Sequence, residues 1–313
     1  MKLIIQIPCY NEEKTLPVTI HSLPKNIDGI DEIEVLIIDD GSTDRTVEVA
    51  KELGIKNIHS LNKNYGLARA FSVGLNKAME LGADIIVNTD ADNQYCADDI
   101  EKIVRPILEN KADMVIGERP ISNIKHFSFI KKCLQKLGSK VMSIISGVKI
   151  NDAPSGFRAF SKRTALNINV FDNYTYTLET IIQANAKGLV IENVPIRVNK
   201  EERPSRLISN IFVYILRSIL TMIRMFVVYR PFRFFAIISA IFLILGILTG
   251  GRFLYYYAIG EGSGHIQSLI LASILIITGV QTSVIAIASD LLSINRKLLE
   301  DIQMRLKNKY LSD

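Results

Sequence analysis

Ala83-Asp84-Ile85-Ile86-Val87-Asn88-Thr89-Asp90-Ala91-Asp92-Asn93-Gln94 decides how this chain is read. Ile85, Ile86 and Val87 form a short apolar run, the signature of a buried central strand. The run stops at two carboxylates one residue apart, followed by an amide. In an α/β sheet, ligands gather at the carboxyl ends of the strands. Asp90 and Asp92 are two residues apart, so along an extended backbone their side chains point the same way. Two carboxylates aimed at one spot repel, and a divalent cation relieves the repulsion. Hard oxygen donors suit Mg²⁺ or Mn²⁺, ions that usually also hold substrate phosphates. The bland alternative is a solvated loop, because Asp and Asn are ordinary turn residues. The remainder of the chain decides between the two.

Outward from this strand the pattern recurs. Residues 3–7 read as a first strand, ended by Pro8 and followed by Cys9-Tyr10-Asn11-Glu12-Glu13 and a helix to residue 23. Residues 34–38 read as a second strand that ends in Asp39-Asp40-Gly41-Ser42-Thr43-Asp44. Ser42 or Thr43 is the expected N-cap of the next helix, with Asp44 in its first turn. A weak strand at 56–60 leads through Asn62-Lys63-Asn64-Tyr65-Gly66 to a helix with Leu67, Ala70, Phe71, Gly74, Leu75 and Ala78 on one face. Beyond the central strand, residues 98–109 read as a helix and 112–116 as a strand closed by Gly117-Glu118-Arg119. A basic helical stretch at 125–147 is followed by a loop entering a short strand near Phe160, a helix at 177–187 and a strand at 190–198. Alternating strands and helices predict an α/β fold with a doubly wound, mostly parallel sheet. Three of its strands end in acidic or polar residues on one edge, and three such ends together make a site.

The composition is uneven. Of the 313 residues 48% are hydrophobic, and the net charge is +5. Residues 1–200 look like a soluble domain, whereas 232–292 are far more apolar. The excess basic charge flanks the apolar part, which points to a membrane surface and away from nucleic acid. Cys9, Cys96 and Cys133 match no metal pattern, and an odd unpaired set fits a reducing cytoplasm. The amino-terminal apolar run is too short for a signal peptide.

Four motifs occur in order: Pro8-Cys9-Tyr10-Asn11-Glu12, Asp39-Asp40-Gly41-Ser42-x-Asp44, Asp90-Ala91-Asp92-x-Gln94 and Ser155-Gly156-Phe157-Arg158. Together they resemble family-2 inverting glycosyltransferases with the GT-A fold, above all the polyprenyl-phosphate glycosyltransferases. The resemblance covers residues 1–210 by motif and the remainder by architecture. It implies that Pro8, Tyr10 and Glu12 line the nucleotide base and ribose, and that Asp39 or Asp40 accepts a hydrogen bond from one of them. It further implies that Asp90 and Ala91 touch the donor sugar nucleotide, with Asp90, Asp92 and Gln94 around Mg²⁺ or Mn²⁺ on the diphosphate. Arg119 and the late basic loop with Lys200, Arg203 and Arg206 would meet phosphates. That loop reads Arg203-Pro204-Ser205-Arg206 where relatives often carry Gly-Glu-Ser-Lys. The chemistry agrees: a departing diphosphate gathers charge that a cation and Arg forks stabilise.

The acceptor sets the remaining roles. A sugar or lipid hydroxyl needs a general base, and Asp152 is the candidate. A lipid phosphate is already anionic at pH 7, since its second pKa is about 6. It needs cations instead, and Arg119, Lys131, Lys132 and Arg158 are the candidates. A solvated helix face is the plainer reading of the two lysines, and a structural partner of Asp152 that of Arg158. Asp152 is then either the base or the residue that orients those cations. Direct attack at the anomeric carbon inverts its configuration. A non-catalytic membrane scaffold is disfavoured, because it has no use for Asp90, Asp92 and Gln94.

The apolar part reads as membrane-bound. Ile208, Ile211, Phe212, Ile215, Ile219, Met222 and Phe226 recur at helical spacing within 207–231, an interfacial juxtamembrane helix. Residues 232–251 and 266–288 are each long enough to span a bilayer, with Tyr255, Tyr256 and Tyr257 as an aromatic belt between them. Basic residues flank both spans, while the short connection holds Arg252 against Glu261. The positive-inside rule puts both termini and the catalytic domain in the cytoplasm, with the protein in the cell (inner) membrane. The expected organisation is a catalytic domain at 1–206, the juxtamembrane helix at 207–231, two transmembrane helices at 232–292 and a cytoplasmic helix at 293–313. Gly246, Gly250, Gly279 and Ala286 are small enough for close helix packing, as in a homo-oligomer.

Overall fold

The computed structural model describes residues 1–120, 138–143, 146–170, 176–199 and 211–312. Lys131, Lys132, Lys200, Arg203 and Arg206, with most of the basic stretch 125–147, lie outside the described residues.

Seven strands form one sheet: β1 (Lys2–Cys9), β2 (Glu32–Asp39), β3 (Asn57–Ser60), β4 (Ile85–Asn88), β5 (Met114–Glu118), β6 (Arg158–Ser161) and β7 (Ile191–Pro195). Their order is β3-β2-β1-β4-β6-β5-β7. Every pairing is parallel except those of β6, which runs against both β4 and β5. The expected α/β, mostly parallel, doubly wound sheet is therefore the observed one. β1 and β4 sit near its centre and are almost wholly buried, in keeping with their mostly apolar runs, which only Gln6 and Asn88 interrupt.

Helices cover both faces. On one side lies α3 (Leu67–Glu80); α1 (Leu16–Ser22) and α2 (Thr46–Glu52) precede it in the chain, and their Leu16 and Ala50 join the core on the other side. Ala70, Phe71, Gly74, Leu75 and Ala78 of α3 are buried, and the helix packs on β1 and β2. On the other side lies α4 (Ile100–Leu108), whose Ile100, Ile103, Val104 and Ile107 join Leu3, Ile5, Ile7, Ile85 and Val87 in one core. α5 (Lys162–Asn167) and α6 (Thr177–Ala186) follow β6.

One helix start differs from expectation. α2 begins at Thr46, not just after Ser42 or Thr43. Those two residues bind Asn11 instead: the Asn11 N–H donates to Ser42 Oγ at 2.9 Å, and the Thr43 N–H to Asn11 Oδ1 at 2.8 Å. Asp44 does the capping work, accepting from the N–H groups of Thr46 (3.0 Å) and Glu13 (3.2 Å). The loops after β1 and β2 are thereby laced together.

The chain divides into two compact units, Met1–Met222 with Met304–Asp313, and Ile223–Gln303. Helix α7 (Ile211–Tyr229) precedes α8 (Pro231–Ala258) and α9 (Ile266–Ser312). Two segments, Pro231–Ala258 and Gly262–Lys309, are long and apolar enough to cross a membrane, with mean hydropathies of 2.4 and 2.2. No break separates the second span from the carboxyl-terminal helix expected at 293–313; both belong to α9. Within the second unit the spans pack closely. Ser239 donates to the Gly279 carbonyl at 2.8 Å and lies 2.6 Å from Ser283 Oγ. A Cβ on Gly246 would stand 2.7 Å from Ile276, and one on Gly279 2.7 Å from Leu243. Gly246 and Gly279 therefore serve contact inside one chain.

Candidate active site

The carboxyl ends of β1, β2 and β4 share one rim, and the chain between β5 and β6 returns to it. At its centre, Asn88 closes β4. Gln6 donates to Asn88 Oδ1 at 2.8 Å, and Asn88 in turn donates to the Gly156 carbonyl (2.9 Å) and to Tyr176 Oη (2.8 Å). The Tyr176 ring lies flat on Phe71, with centroids 3.8 Å apart. This fully buried network carries Asp90, two residues on. Gly156 approaches Asp90 so closely that a Cβ there would meet both carboxylate oxygens at 3.3 Å and Tyr176 Oη at 2.9 Å. Tyr95 hydrogen-bonds Asp90 while its hydroxyl accepts the Gly156 N–H at 3.1 Å, and its ring stacks on Phe157.

Asp90 and Asp92 lie close enough for their charges to act on each other. Burial, then repulsion from Asp92, pushes the Asp90 carboxyl up to about 7, against the pull of Arg119. Asp92 Oδ1 accepts the Gln94 N–H at 3.2 Å, across Asn93 in the left-handed region at φ 54°. Among the described residues no group of three His, Cys, Asp or Glu converges. Two carboxylates and an amide oxygen are a hard but incomplete donor set. They fit a divalent ion that completes its shell with substrate phosphate oxygens and water. Their mutual repulsion is the strain that such an ion relieves.

A second segment fastens the Asp92–Gln94 turn. Tyr95 and Val198 form an antiparallel bridge, and the Asn199 N–H donates to the Gln94 carbonyl at 2.9 Å. The Asn199 amide donates to the Asn93 carbonyl at 2.9 Å and the Tyr95 carbonyl at 3.3 Å. Arg197 is tied to the fully buried Asp99 by its N–H at 2.6 Å and Nη2 at 2.9 Å.

Arg119 and Asp152 form a buried two-pronged pair, Nε to Oδ2 at 2.6 Å and Nη2 to Oδ1 at 2.9 Å. The Arg119 N–H adds a third contact at 3.2 Å. Burial works against the charged form of Arg119, and the Asp152 carboxylate outweighs it, so the guanidinium stays cationic. The partner of Asp152 is therefore Arg119 and not Arg158. Arg158 is fully buried and donates to the carbonyls of Ser155 (2.8 Å), Ala153 (2.7 Å) and Thr177 (2.7 Å) and to Thr180 Oγ1 (2.6 Å). Burial pushes its pKa down to about 10, which leaves it charged at neutral pH. The expectation that Arg158 meets an incoming phosphate is corrected: its donors already face inward, onto protein oxygens.

The two aspartates at the end of β2 also part ways. Asp40 uses both oxygens, on the N–H groups of Tyr65 and Gly66, each at 2.8 Å. Burial nevertheless holds its carboxyl above the usual value. Asp39 Oδ1 accepts the Ser42 N–H at 3.1 Å. Gly41, which follows them, has φ +71°, and a Cβ there would lie 2.5 Å from the Lys63 backbone, so the 62–66 loop is pressed onto this turn. Pro8 is buried at the end of β1, and Tyr10 just beyond it is exposed. Glu12 is buried and its Oε2 accepts the Thr15 hydroxyl at 2.7 Å. The Ala91 carbonyl accepts the Thr19 hydroxyl at 3.0 Å. Sequence reasoning missed Asn88, Tyr95, Tyr176 and Asn199. A polar Asn inside an apolar strand was the signal available for the first; the others join distant parts of the chain, Tyr95 to Gly156 across 61 residues, Tyr176 to Asn88 across 88 and Asn199 to Asn93 across 106.

A seven-stranded sheet of this order, with paired carboxylates at its rim, defines the GT-A class of fold. The chain belongs to glycosyl transferase family 2, whose pattern matches residues 4–166. It is 36% identical over 217 residues to the UDP-N-acetylglucosamine–dolichyl-phosphate N-acetylglucosaminyltransferase of Methanococcus voltae, covering 61% of this chain and 83% of that one. It is 27% identical over 213 residues to the undecaprenyl-phosphate mannosyltransferase of Micrococcus luteus, covering 64% of this chain and 85% of the relative. Among solved structures, glucosyl-3-phosphoglycerate synthase from Mycobacterium tuberculosis, in complex with Mn²⁺, UDP and glucosyl-3-phosphoglycerate, superimposes with a TM-score of 0.56 at 19% identity. That match covers 71% of this chain and 79% of the other, and it bears on the fold alone.

Proposed function

We propose that this glycosyltransferase moves a sugar from a nucleotide-diphosphate sugar to a polyprenyl phosphate in the cytoplasmic leaflet, with inversion. The observation that carries the choice of acceptor is the Arg119–Asp152 pair. A hydroxyl acceptor needs a base, yet both Asp152 oxygens are committed to Arg119. A phosphate acceptor needs no base, because it is largely ionised at pH 7. The names of the relatives and the two apolar spans support the same reading.

In this reading Pro8, Tyr10, Glu12 and Asp39 surround the base and ribose, while Asp40 shapes the loop that closes over them. Asp90, Asp92 and Gln94 hold Mg²⁺ or Mn²⁺, which when bound neutralises charge on the diphosphate. Asp90 faces the donor sugar, and Gly156 leaves the space. A phosphate oxygen of the lipid attacks the anomeric carbon as the bond to the nucleoside diphosphate breaks, with no covalent enzyme intermediate. Asp152 fixes the plane of Arg119, and Arg158 fixes the loop that carries Asp152. α7 lies at the membrane surface, the two spans anchor the chain, and both termini are cytoplasmic.

Membranes containing the protein, incubated with labelled UDP- and GDP-sugars, should yield a lipid product that mild acid cleaves. A labelled glycolipid stable to mild acid would overturn the phosphate acceptor in favour of a hydroxyl.

A further inference from the structure

The Asp92–Gln94 turn has little regular structure of its own to hold it. β4 ends at Asn88, and the short helical turn Ala97–Asp99 lies beyond Tyr95 and Cys96. Asn93 stands in the left-handed region at φ 54°. An Asn tolerates that conformation but does not enforce it. Something outside the turn must therefore fix it, and Asn199 is placed to do so. The Asn199 N–H donates to the Gln94 carbonyl at 2.9 Å. Its side-chain amide donates to the Asn93 carbonyl at 2.9 Å and the Tyr95 carbonyl at 3.3 Å, and lies 3.4 Å from Asn93 Oδ1. The carbonyls of three successive residues thus converge on one asparagine.

Gln94 sits between two peptide planes. The plane before it has its carbonyl on the Asn199 amide and its N–H on Asp92 Oδ1 at 3.2 Å. The plane after it has its carbonyl on the Asn199 N–H. A residue has two soft backbone angles, and fixing both flanking planes fixes both angles. The direction in which the Gln94 side chain leaves the backbone is then set, and with it the N–H that steadies the Asp92 carboxylate. The segment that carries Asn199 is already fastened without that amide. Val198 pairs with Tyr95, the Cys96 N–H donates to the Arg197 carbonyl at 3.3 Å, and Arg197 is clasped by the buried Asp99. Asn199 itself is exposed, so its side chain fills no core. Its amide contacts act on the turn.

We infer that Asn199 is a positioning residue for the divalent cation, acting through Asp92 and Gln94 by holding their turn in the arrangement that receives the ion. The inference rests on the reading that Asp92 and Gln94 hold that cation. A donor set fixed beforehand loses less freedom when the ion arrives. Groups that orient metal ligands from behind typically contribute about 10–100-fold to metal affinity.

The test is calorimetric titration of the full-length chain in detergent with UDP, and with GDP in parallel, once with Mn²⁺ and once with EDTA. Wild type should bind one of the two nucleotides more tightly with Mn²⁺. Asn199→Ala removes the amide and keeps the backbone N–H; Asn199→Leu does the same at similar side-chain volume. In both variants the gain from Mn²⁺ should shrink about tenfold. Nucleotide affinity in EDTA and the melting midpoint without metal should stay close to those of wild type. A full Mn²⁺ gain in both variants would overturn the role of Asn199 and leave the cation site standing. A wild type with no Mn²⁺ gain for either nucleotide would overturn the cation site itself, and this inference with it. Variants that lose affinity equally with Mn²⁺ and with EDTA would also overturn it, because Asn199 would then serve the fold or the nucleotide and not the ion.

Discussion

Replacing Arg158 with lysine separates the two roles a buried cation in this loop can have. Its guanidinium joins the carbonyls of Ala153, Ser155 and Thr177 and the Thr180 hydroxyl, at 2.6–2.8 Å. A lysine ammonium gathers its three donors on one atom and cannot span these oxygens together. One or two buried carbonyls then lose their partner, at about 1–3 kcal/mol each, for an expected loss of about 3 kcal/mol. In a unit of this size 1 kcal/mol moves the melting point by about 2–4 °C, so the midpoint should fall by about 6–12 °C. The assay is a thermal melt of the full chain in detergent, paired with UDP titration well below both midpoints. The expected result is a less stable protein whose folded fraction still binds UDP. An unchanged melting point with transfer abolished would refute the reasoning, because Arg158 would then meet the substrate.

Three further outcomes are expected. Asp92→Asn should bind UDP as well as wild type in EDTA but lose the gain that Mn²⁺ gives, measured by calorimetric titration; a full Mn²⁺ gain in the variant would remove Asp92 from the cation site. Gly156→Ala places a Cβ 2.9 Å from Tyr176 Oη and 3.3 Å from Asp90, so Mn²⁺-dependent UDP affinity should drop about tenfold, or about 1.4 kcal/mol. Asp99→Asn tests the clasp on Arg197 through pH. Burial raises the Asp99 carboxyl, but donation from Arg197 and Lys102 outweighs it and holds the group below its ordinary 3.8. Its contribution is therefore present above that value and lost as pH falls through the lowered one. The variant should melt below wild type at pH 7, and the two curves should converge in stronger acid.

The central strands were legible because strands buried on both faces carry mostly apolar runs, as β1 and β4 do. The reversed direction of β6 was not, since hydropathy carries no arrow. The start of α2 was misplaced because Asn11, far off in sequence, claims Ser42 and Thr43. Asp152 lies six residues from Arg158 in the chain, and proximity suggested that pairing. The sheet instead brings Arg119, at the end of β5, against it. A pattern of two adjacent aspartates likewise cannot say which one is spent on the Tyr65 and Gly66 N–H groups; hydrogen bonds across 25 residues and more decide it.

The direction of β6 has a consequence for how such enzymes diversify. β5 ends and β6 begins at the same rim, with Ile116 and Asn88 both opposite Arg158. The excursion at 119–157 therefore leaves and re-enters the sheet at neighbouring points. Doubling the length of a flexible connection between fixed ends costs only about 0.6 kcal/mol. Evolution can lengthen, shorten or exchange this excursion while the register of the donor-side strands stays untouched. One inherited half of the pocket can thus be combined with many acquired ones.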